Sequence, residues 1–462
     1  MLTHVVVAPR WAARSLSGAR HWTAVATRRH SIGLRSASSA AAPGASSAAD
    51  ADAGADAAAP SIVQRSQLRS TALLPKPLTV ALRGATREHV TKFKWPELRT
   101  QVHELGRRYR LAYDGHGEKS LSEPWDAASA AAYSLARLPG AYAACHSALS
   151  EVDRLLGGKG GWLPKTVLDA GGGGLGEGLW AAWSVWDAEY VPRPDGSRGI
   201  EPPQRYTGLQ PEHTLLALAG YLCHSSEAIP SCEWLQALPE GAQADAVIAA
   251  YSHAAPATGA ERARAVAALW EATAEGGVLV IVERGTEAGA QYVNKAREQL
   301  LATGDAGMIA PCTHSATCSK GCTFNRSYHL TADQRALSAL RSNKGQRAES
   351  FSYVAVRKYG DLVGGAELRE AEMRPWSRLV GKTLRRHNHV ILEQCRGPAL
   401  DAGGRLPHDD FREGVAETSR VTVAKSHEKK GIVPKKGYAQ LRKARSHDMA
   451  KLPYGTGHRA AY

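Results

Sequence analysis

The sequence predicts an α/β fold: a doubly wound sheet, preceded by a helical segment and followed by a small β-rich appendage. Three observations carry that reading. From Lys165 to about Leu301, short apolar runs alternate with helical segments, the pattern of a parallel sheet covered by helices. One of those runs, Val167-Leu168-Asp169, enters the Gly-rich turn Gly171 to Gly174. Beyond the alternating region, Cys312, Cys318 and Cys322 crowd into a short loop-like stretch rich in small residues.

Residues 1–60 precede any foldable pattern. Arg10, Arg14, Arg20, Arg28, Arg29 and Arg35 lie among Ser and Ala, and the first acidic residue is Asp50, which is the composition of a transit peptide. Mitochondrial import is expected, into the matrix, with a plastid as the alternative. Ser36 to Pro60, nearly all Ala, Ser, Gly and Asp, reads as a disordered linker. Residues 61–160 read as a helical N-terminal domain. Trp95-Pro96-Glu97 opens a segment with Leu98, Val102, Leu105 and Tyr109 at helical spacing; Ala127 to Leu138 follows, and after a break at Pro139-Gly140 comes Ala141 to Leu156.

Residues 161–305 form the expected doubly wound domain, with strands at Thr166 to Leu168, Tyr206 to Leu209, Ala246 to Ala250 and Val278 to Val282. A helix from Glu261 to Ala274 is expected to end in a cap at Gly276-Gly277. Residues 306–400 hold the cysteine segment and two alternating runs, Phe351 to Val356 and His389 to Leu392, assigned to the appendage. Residues 401–462 read as an extended basic tail: from Arg420 onward eleven Lys and Arg face two acids, Glu428 and Asp448.

The 462-residue chain carries a net charge of +14, which favours a polyanionic partner, nucleic acid foremost. No run approaches the roughly 18–20 apolar residues of a membrane-spanning helix, so no membrane partner is expected. In a reducing compartment, seven cysteines argue for metal rather than a disulfide framework. The Cys312-x5-Cys318-x3-Cys322 spacing suits zinc or an iron–sulfur cluster, with Cys395 as the best fourth ligand and His314 second.

The Asp169-x-Gly171-x-Gly173 pattern, with an acid two residues before the first glycine, resembles the first motif of class I S-adenosylmethionine methyltransferases. Asp169, Gly171, Gly173 and Gln210 are the candidate cofactor-binding residues, Gln210 standing where an acid usually bonds the ribose. Leu175 stands where the third glycine usually falls and is expected to crowd the cofactor unless Gly174 or Gly176 takes that place. Ala249 to His253 replaces any methylation motif after the fourth strand, and no catalytic residue is assigned.

A wider set of segments points to one family. These are Tyr133 to Tyr142, the Asp169 turn, Val282 to Gly289, Ala310 to His314, Cys318, Cys322 to Phe324, Phe351 to Tyr353, and Trp376-Ser377-Arg378 leading to His389 through Cys395. In this order they resemble the methyltransferase-like family of the mitochondrial ribosomal small subunit, across about Leu74 to Arg445. The resemblance implies a class I methyltransferase-like domain, with small-subunit rRNA and mitochondrial small-subunit ribosomal proteins as partners. It also implies a role as subunit component or assembly factor, and a [4Fe–4S] cluster on Cys312, Cys318, Cys322 and Cys395. An active S-adenosylmethionine-dependent rRNA methyltransferase is the alternative. The family's second and third cysteines are usually further apart and often begin Cys-Pro, so the loop at Cys318-Ser319 must be tighter.

Overall fold

A computed structural model describes residues 63–64, 71–92, 95–113, 125–157, 161–171, 174–187, 203–225, 228–229, 232–252, 258–318, 321–338, 345–360, 376–380, 383–385, 389–397, 417–424, 435–444 and 448–451. The expected transit peptide and linker lie outside these residues. A short strand β1 (Val63–Gln64) precedes helices α1 (Lys76–Lys92), α2 (Trp95–Tyr113), α3 (Ala127–Ala136) and α4 (Leu138–Val152). Asp126 caps α3 by accepting from the Ser129 amide at 2.7 Å. Pro139 does not break the chain but sits in the first turn of α4, where no amide donor is needed.

Strand and helix then alternate: β2 (Thr166–Asp169), α5 (Glu177–Trp186), β3 (Arg205–Leu209), α6 (His213–His224), β4 (Cys232–Leu235), β5 (Ala244–Ala250), α7 (Gly259–Glu271), β6 (Thr273–Arg284) and α8 (Glu287–Leu301). There follow β7 (Ala306–Ala310), β8 (Phe324–His329), α9 (Ala332–Ser338) and β9 (Gln346–Lys358). The strands form one sheet in the order β4-β3-β2-β5-β6-β9-β7, with β8 also paired to β9. β4 through β6 run parallel, while β9 is antiparallel to β6, β7 and β8. A parallel sheet ending in an inserted antiparallel strand is the class I methyltransferase-like arrangement. The chain leaves β2 toward β3 on one side and returns to β5 on the other, so the carboxyl end of β2 is the topological switch point where ligands gather in such sheets.

Several boundaries differ from the sequence reading. The α1 to α4 helices share one core with the sheet: Leu78, Leu82, Tyr133, Leu138, Tyr142 and Leu149 pack in the same cluster as Val167, Leu179, Val280 and Phe351. α7 stops at Glu271, and Gly277 instead lies in β6, where a Cβ would meet the Asp245 carbonyl oxygen at 2.8 Å. Phe351 to Val356 belongs to β9 in the main sheet, fully buried between β6 and β7, because its apolar residues face both sides.

The appendage is a second sheet: β10 (Ser377–Leu379), β11 (Leu384–Arg385), β12 (His389–Arg396), β13 (Glu417–Ala424) and β14 (Met449–Ala450), with β1 at its edge. The basic tail is therefore not wholly extended. β13 pairs with β12 along its whole length, and helix α10 (Lys435–Lys443) buries Tyr438 and Leu441 with Leu379, Val390 and Leu392. Tyr438 and Leu441, one helical turn apart, supply an apolar stripe too short to stand out among the lysines.

Candidate functional site

The switch point is built by Asp169 at the end of β2. Its Oδ1 accepts from the Gly171 amide at 3.0 Å and its Oδ2 from the Leu179 amide at 2.9 Å, tying the turn to the first turn of α5. Burial raises this carboxyl to about 6, against the hydrogen bonds from Leu179, Gly171 and Gly178. Glu177 is buried beside it and accepts from the Leu175 amide at 2.7 Å and from the Tyr133 hydroxyl at 3.3 Å. Burial, reinforced by the neighbouring Asp169, raises Glu177 to about 7. Gln210 is fully buried: its Nε2 donates to the Gly174 carbonyl at 2.6 Å and its Oε1 accepts from the Glu212 amide at 3.1 Å.

The structure thus brings Asp169, Gly171 and Gln210 to one turn, and it engages their polar groups with that turn's own backbone. Gly173 lies outside the described residues. Leu175 points into the core rather than crowding the turn, because it is fully buried among the cluster that holds Leu179 and Trp180. Trp234 of β4 lies across the turn: a Cβ on Gly208 would meet its ring at 2.6 Å, and one on Gly176, whose φ is +84°, at 2.9 Å. These two glycines are needed for close approach, and Gly176 also for its backbone conformation.

The second site lies where the loop after β7 meets β12. Cys312, Cys318 and Cys395 are buried and Cys322 is half-buried. All four are free thiols in mutual reach: Cys395 is hydrogen-bonded to Cys318 and feels Cys312 and Cys322, and Cys322 feels Cys312 and Cys318. Burial, reinforced by these neighbours, pushes the Cys322 thiol up to about 12. The Cys312 thiol is raised by burial, against the pull of Arg297. His314 is also buried, its Nε2 at 3.5 Å from the Cys395 sulfur, and burial with the Arg297 charge lowers it to about 3. Among the described residues no three His, Cys, Asp or Glu side chains are already drawn around a common metal position. Ligation by these thiols would require them to lose their protons.

Two buried arginines frame these thiols, and sequence reasoning missed both roles. Arg297 of α8 donates to the His314 and Ala316 carbonyls at 3.0 and 2.8 Å. Arg378 of β10, paired in register with Cys395, donates to the Pro311 carbonyl at 2.6 Å and to Glu151 of α4 at 2.7 Å. A signal existed. Arg297 falls on the stripe of Val293 and Leu300, and Glu151 among Ser147, Ala148 and Val152, so each is a charge set into an apolar helix face.

The family model described as mitochondrial small ribosomal subunit Rsm22 matches residues 127–400. The human protein named ribosome assembly protein METTL17, mitochondrial, is 28% identical over 282 residues, covering 57% of this chain and 54% of its own. Rsm22-cox11 tandem protein 2, mitochondrial, of Schizosaccharomyces pombe is 26% identical over 164 residues, 28% of this chain and 22% of that one. The chain spans about half the length of the first relative and less of the second. Among solved structures, the plantazolicin methyltransferase BpumL is matched over 57% of this chain and 99% of its own at 10% identity and a TM-score of 0.29. The strand order, not that likeness, defines the fold.

Proposed function

The chain belongs to the mitochondrial small ribosomal subunit Rsm22 family, and we propose that it binds small-subunit rRNA as a component or assembly factor of the mitochondrial small ribosomal subunit. The observation that carries this reading is the reach of the family match, 127–400, which takes in the Asp169 turn, the three clustered cysteines and Cys395 together. The chain is mitochondrial, as are the family and its relatives in human and fission yeast. Its net charge of +14 supports a phosphate-rich partner, whose binding releases counterions and so weakens with salt.

In this reading the methyltransferase-like domain is a scaffold. Asp169, Glu177 and Gln210 bond the backbone of their own turn, which leaves these groups engaged before any cofactor arrives. An active S-adenosylmethionine-dependent rRNA methyltransferase is the second reading, favoured by the place of Asp169 and Gly171 at the switch point. Gly173 and Gln210 complete its candidate cofactor residues.

Cys312, Cys318, Cys322 and Cys395 would hold a [4Fe–4S] cluster, with zinc as the alternative. The residues present fit such a group: four adjacent thiols and a buried guanidinium to offset their charge once deprotonated. The group would cross-link the loop after β7 to the appended sheet and couple metal binding to folding.

The test is sedimentation of the full chain with mitochondrial small subunits across a salt series, with iron, sulfide and zinc measured on anaerobically purified protein. Co-sedimentation that falls with salt is expected. Absence of co-sedimentation, or association indifferent to salt, overturns the rRNA-binding reading. Loss of one specific rRNA methyl group in cells carrying a folded, subunit-bound Asp169→Ala protein would favour the enzyme instead.

A further inference from the structure

Arg297 is 3% exposed, on the face of α8 that covers the cysteine loop. Besides its two bonds to the His314 and Ala316 carbonyls, its neighbour Asn294 donates to the Cys318 carbonyl at 2.8 Å, so this face of the helix holds the loop at three backbone oxygens. Nε and Nη1 of Arg297 have no well-formed hydrogen bond, and among the described residues no carboxylate pairs with it. The Cys312 thiol lies within hydrogen-bonding reach of the guanidinium. A buried guanidinium without a counter-ion is costly, so its place implies an anion that is not a side-chain carboxylate.

Four thiolates around Zn²⁺, or around a cluster core of the same charge, carry two negative charges. The buried Arg297 guanidinium beside the thiols is therefore matched to a negative metal–thiolate group and mismatched to four neutral thiols.

We propose that Arg297 is the counter-charge of the cysteine centre, a positioning residue that fixes the loop through its carbonyls and retains the metal by offsetting the thiolates' charge. This rests on the metal site proposed above. Lys and Gln separate the two components, since Lys keeps the charge while Gln keeps only hydrogen bonding.

The full chain with Arg297→Lys or Arg297→Gln is purified anaerobically beside the unsubstituted protein. Iron, sulfide and zinc per chain are measured, then retention of metal against a chelator, and the reduction potential where a cluster is present. Arg297→Gln is expected to weaken retention by about 10–100-fold, the usual cost of losing a group behind the ligands, and to shift the potential downward; Arg297→Lys stays close to the unsubstituted protein. With metal stripped, Arg297→Gln should melt no lower than the unsubstituted chain, because an uncompensated buried charge has been removed. Retention unchanged in Arg297→Gln, or equal losses in the Gln and Lys variants, overturns the counter-charge role while leaving the metal site intact. An unsubstituted chain that binds neither iron nor zinc overturns the metal site itself and this role with it.

Discussion

Arg378 and Glu151 meet at 2.7 Å with side chains 3% and 1% exposed, one on the appended sheet and the other on α4 in the main core. Arg154 completes the group at 2.8 Å. Because Arg378 also holds the Pro311 carbonyl and sits opposite Cys395, one guanidinium joins three parts of the chain: the helical layer, the cysteine loop and the small sheet. Burial alone would raise the Glu151 carboxyl, but the charges and hydrogen bonds of Arg378 and Arg154 hold it near about 2.

Replacing Arg378 by Met leaves a buried carboxylate facing only the partly exposed Arg154, and is expected to destabilise the chain by about 3–5 kcal/mol. Glu151→Gln preserves shape but takes this carboxylate away from the buried Arg378 guanidinium, and is expected to cost a similar amount. Denaturant unfolding of both single variants and the double variant gives the coupling. Additive effects would show that the pair is not energetically joined. For Glu151 itself, the folded pKa lies below the unfolded value, so its stabilisation is full above about pH 4.5 and fades as pH falls toward about 2.

Glu177 has the opposite sign. In the folded chain it keeps its proton up to about pH 7, whereas an unfolded glutamate releases it near about 4.5. The folded state is therefore favoured below about 4.5 and loses that advantage as pH rises through about 7. Glu177→Gln keeps the acceptor for the Leu175 amide without the buried charge, and should be more stable than the unsubstituted chain at pH 8 by roughly 1–3 kcal/mol, with no gain at pH 5. Thermal melts at the two pH values decide it; a gain of equal size at both would show that charge burial is not the cause.

Asp169 tests the scaffold reading of the turn. Asp169→Asn retains one acceptor oxygen but presents an NH2 to a second backbone donor, Gly171 or Leu179, so one buried amide loses its partner. A loss of about 1–3 kcal/mol is expected, with subunit association preserved in the folded fraction. Unchanged stability together with loss of S-adenosylmethionine binding would assign the carboxylate to a ligand instead.

Much of the main sheet is legible in the sequence. The strands at Val167, Tyr206, Ala246 and Val278 stand out because buried parallel strands are continuous apolar runs, and Asp169 with its glycines marks the switch point by local chemistry alone. Periodicity does not show that β9 inserts beside β6, since register across a sheet depends on partners remote in sequence. Nor does it show that Gln210 is buried and bonded to Gly174, or that α10 folds back onto β12, where two apolar residues suffice because the partner sheet supplies the rest. The cysteines are recognisable by crowding; the arginines that surround them stand out only as misplaced charges on elements whose inward face the sequence does not reveal.

Part of the basic tail is folded, so its charge and its structure need separate tests. Deleting from Arg420 would remove β13 in part and with it the pairing to β12, confounding charge with structure. Arg385, Arg442, Lys443 and Lys451 are exposed on the appended sheet and its helix, and can be changed with the core intact. Replacing Arg442 and Lys443 by Gln is expected to weaken subunit association most at low salt, and to reduce the slope of log affinity against log salt by about 1 for each phosphate no longer neutralised. Leu441→Ala, which opens the buried packing against Val390 and Leu392, should instead lower stability by about 2–5 kcal/mol and leave the salt slope of the folded fraction unchanged. If the two charge substitutions leave the slope as it was while Leu441→Ala alters it, the appended sheet contributes to association through its shape and not through its cations.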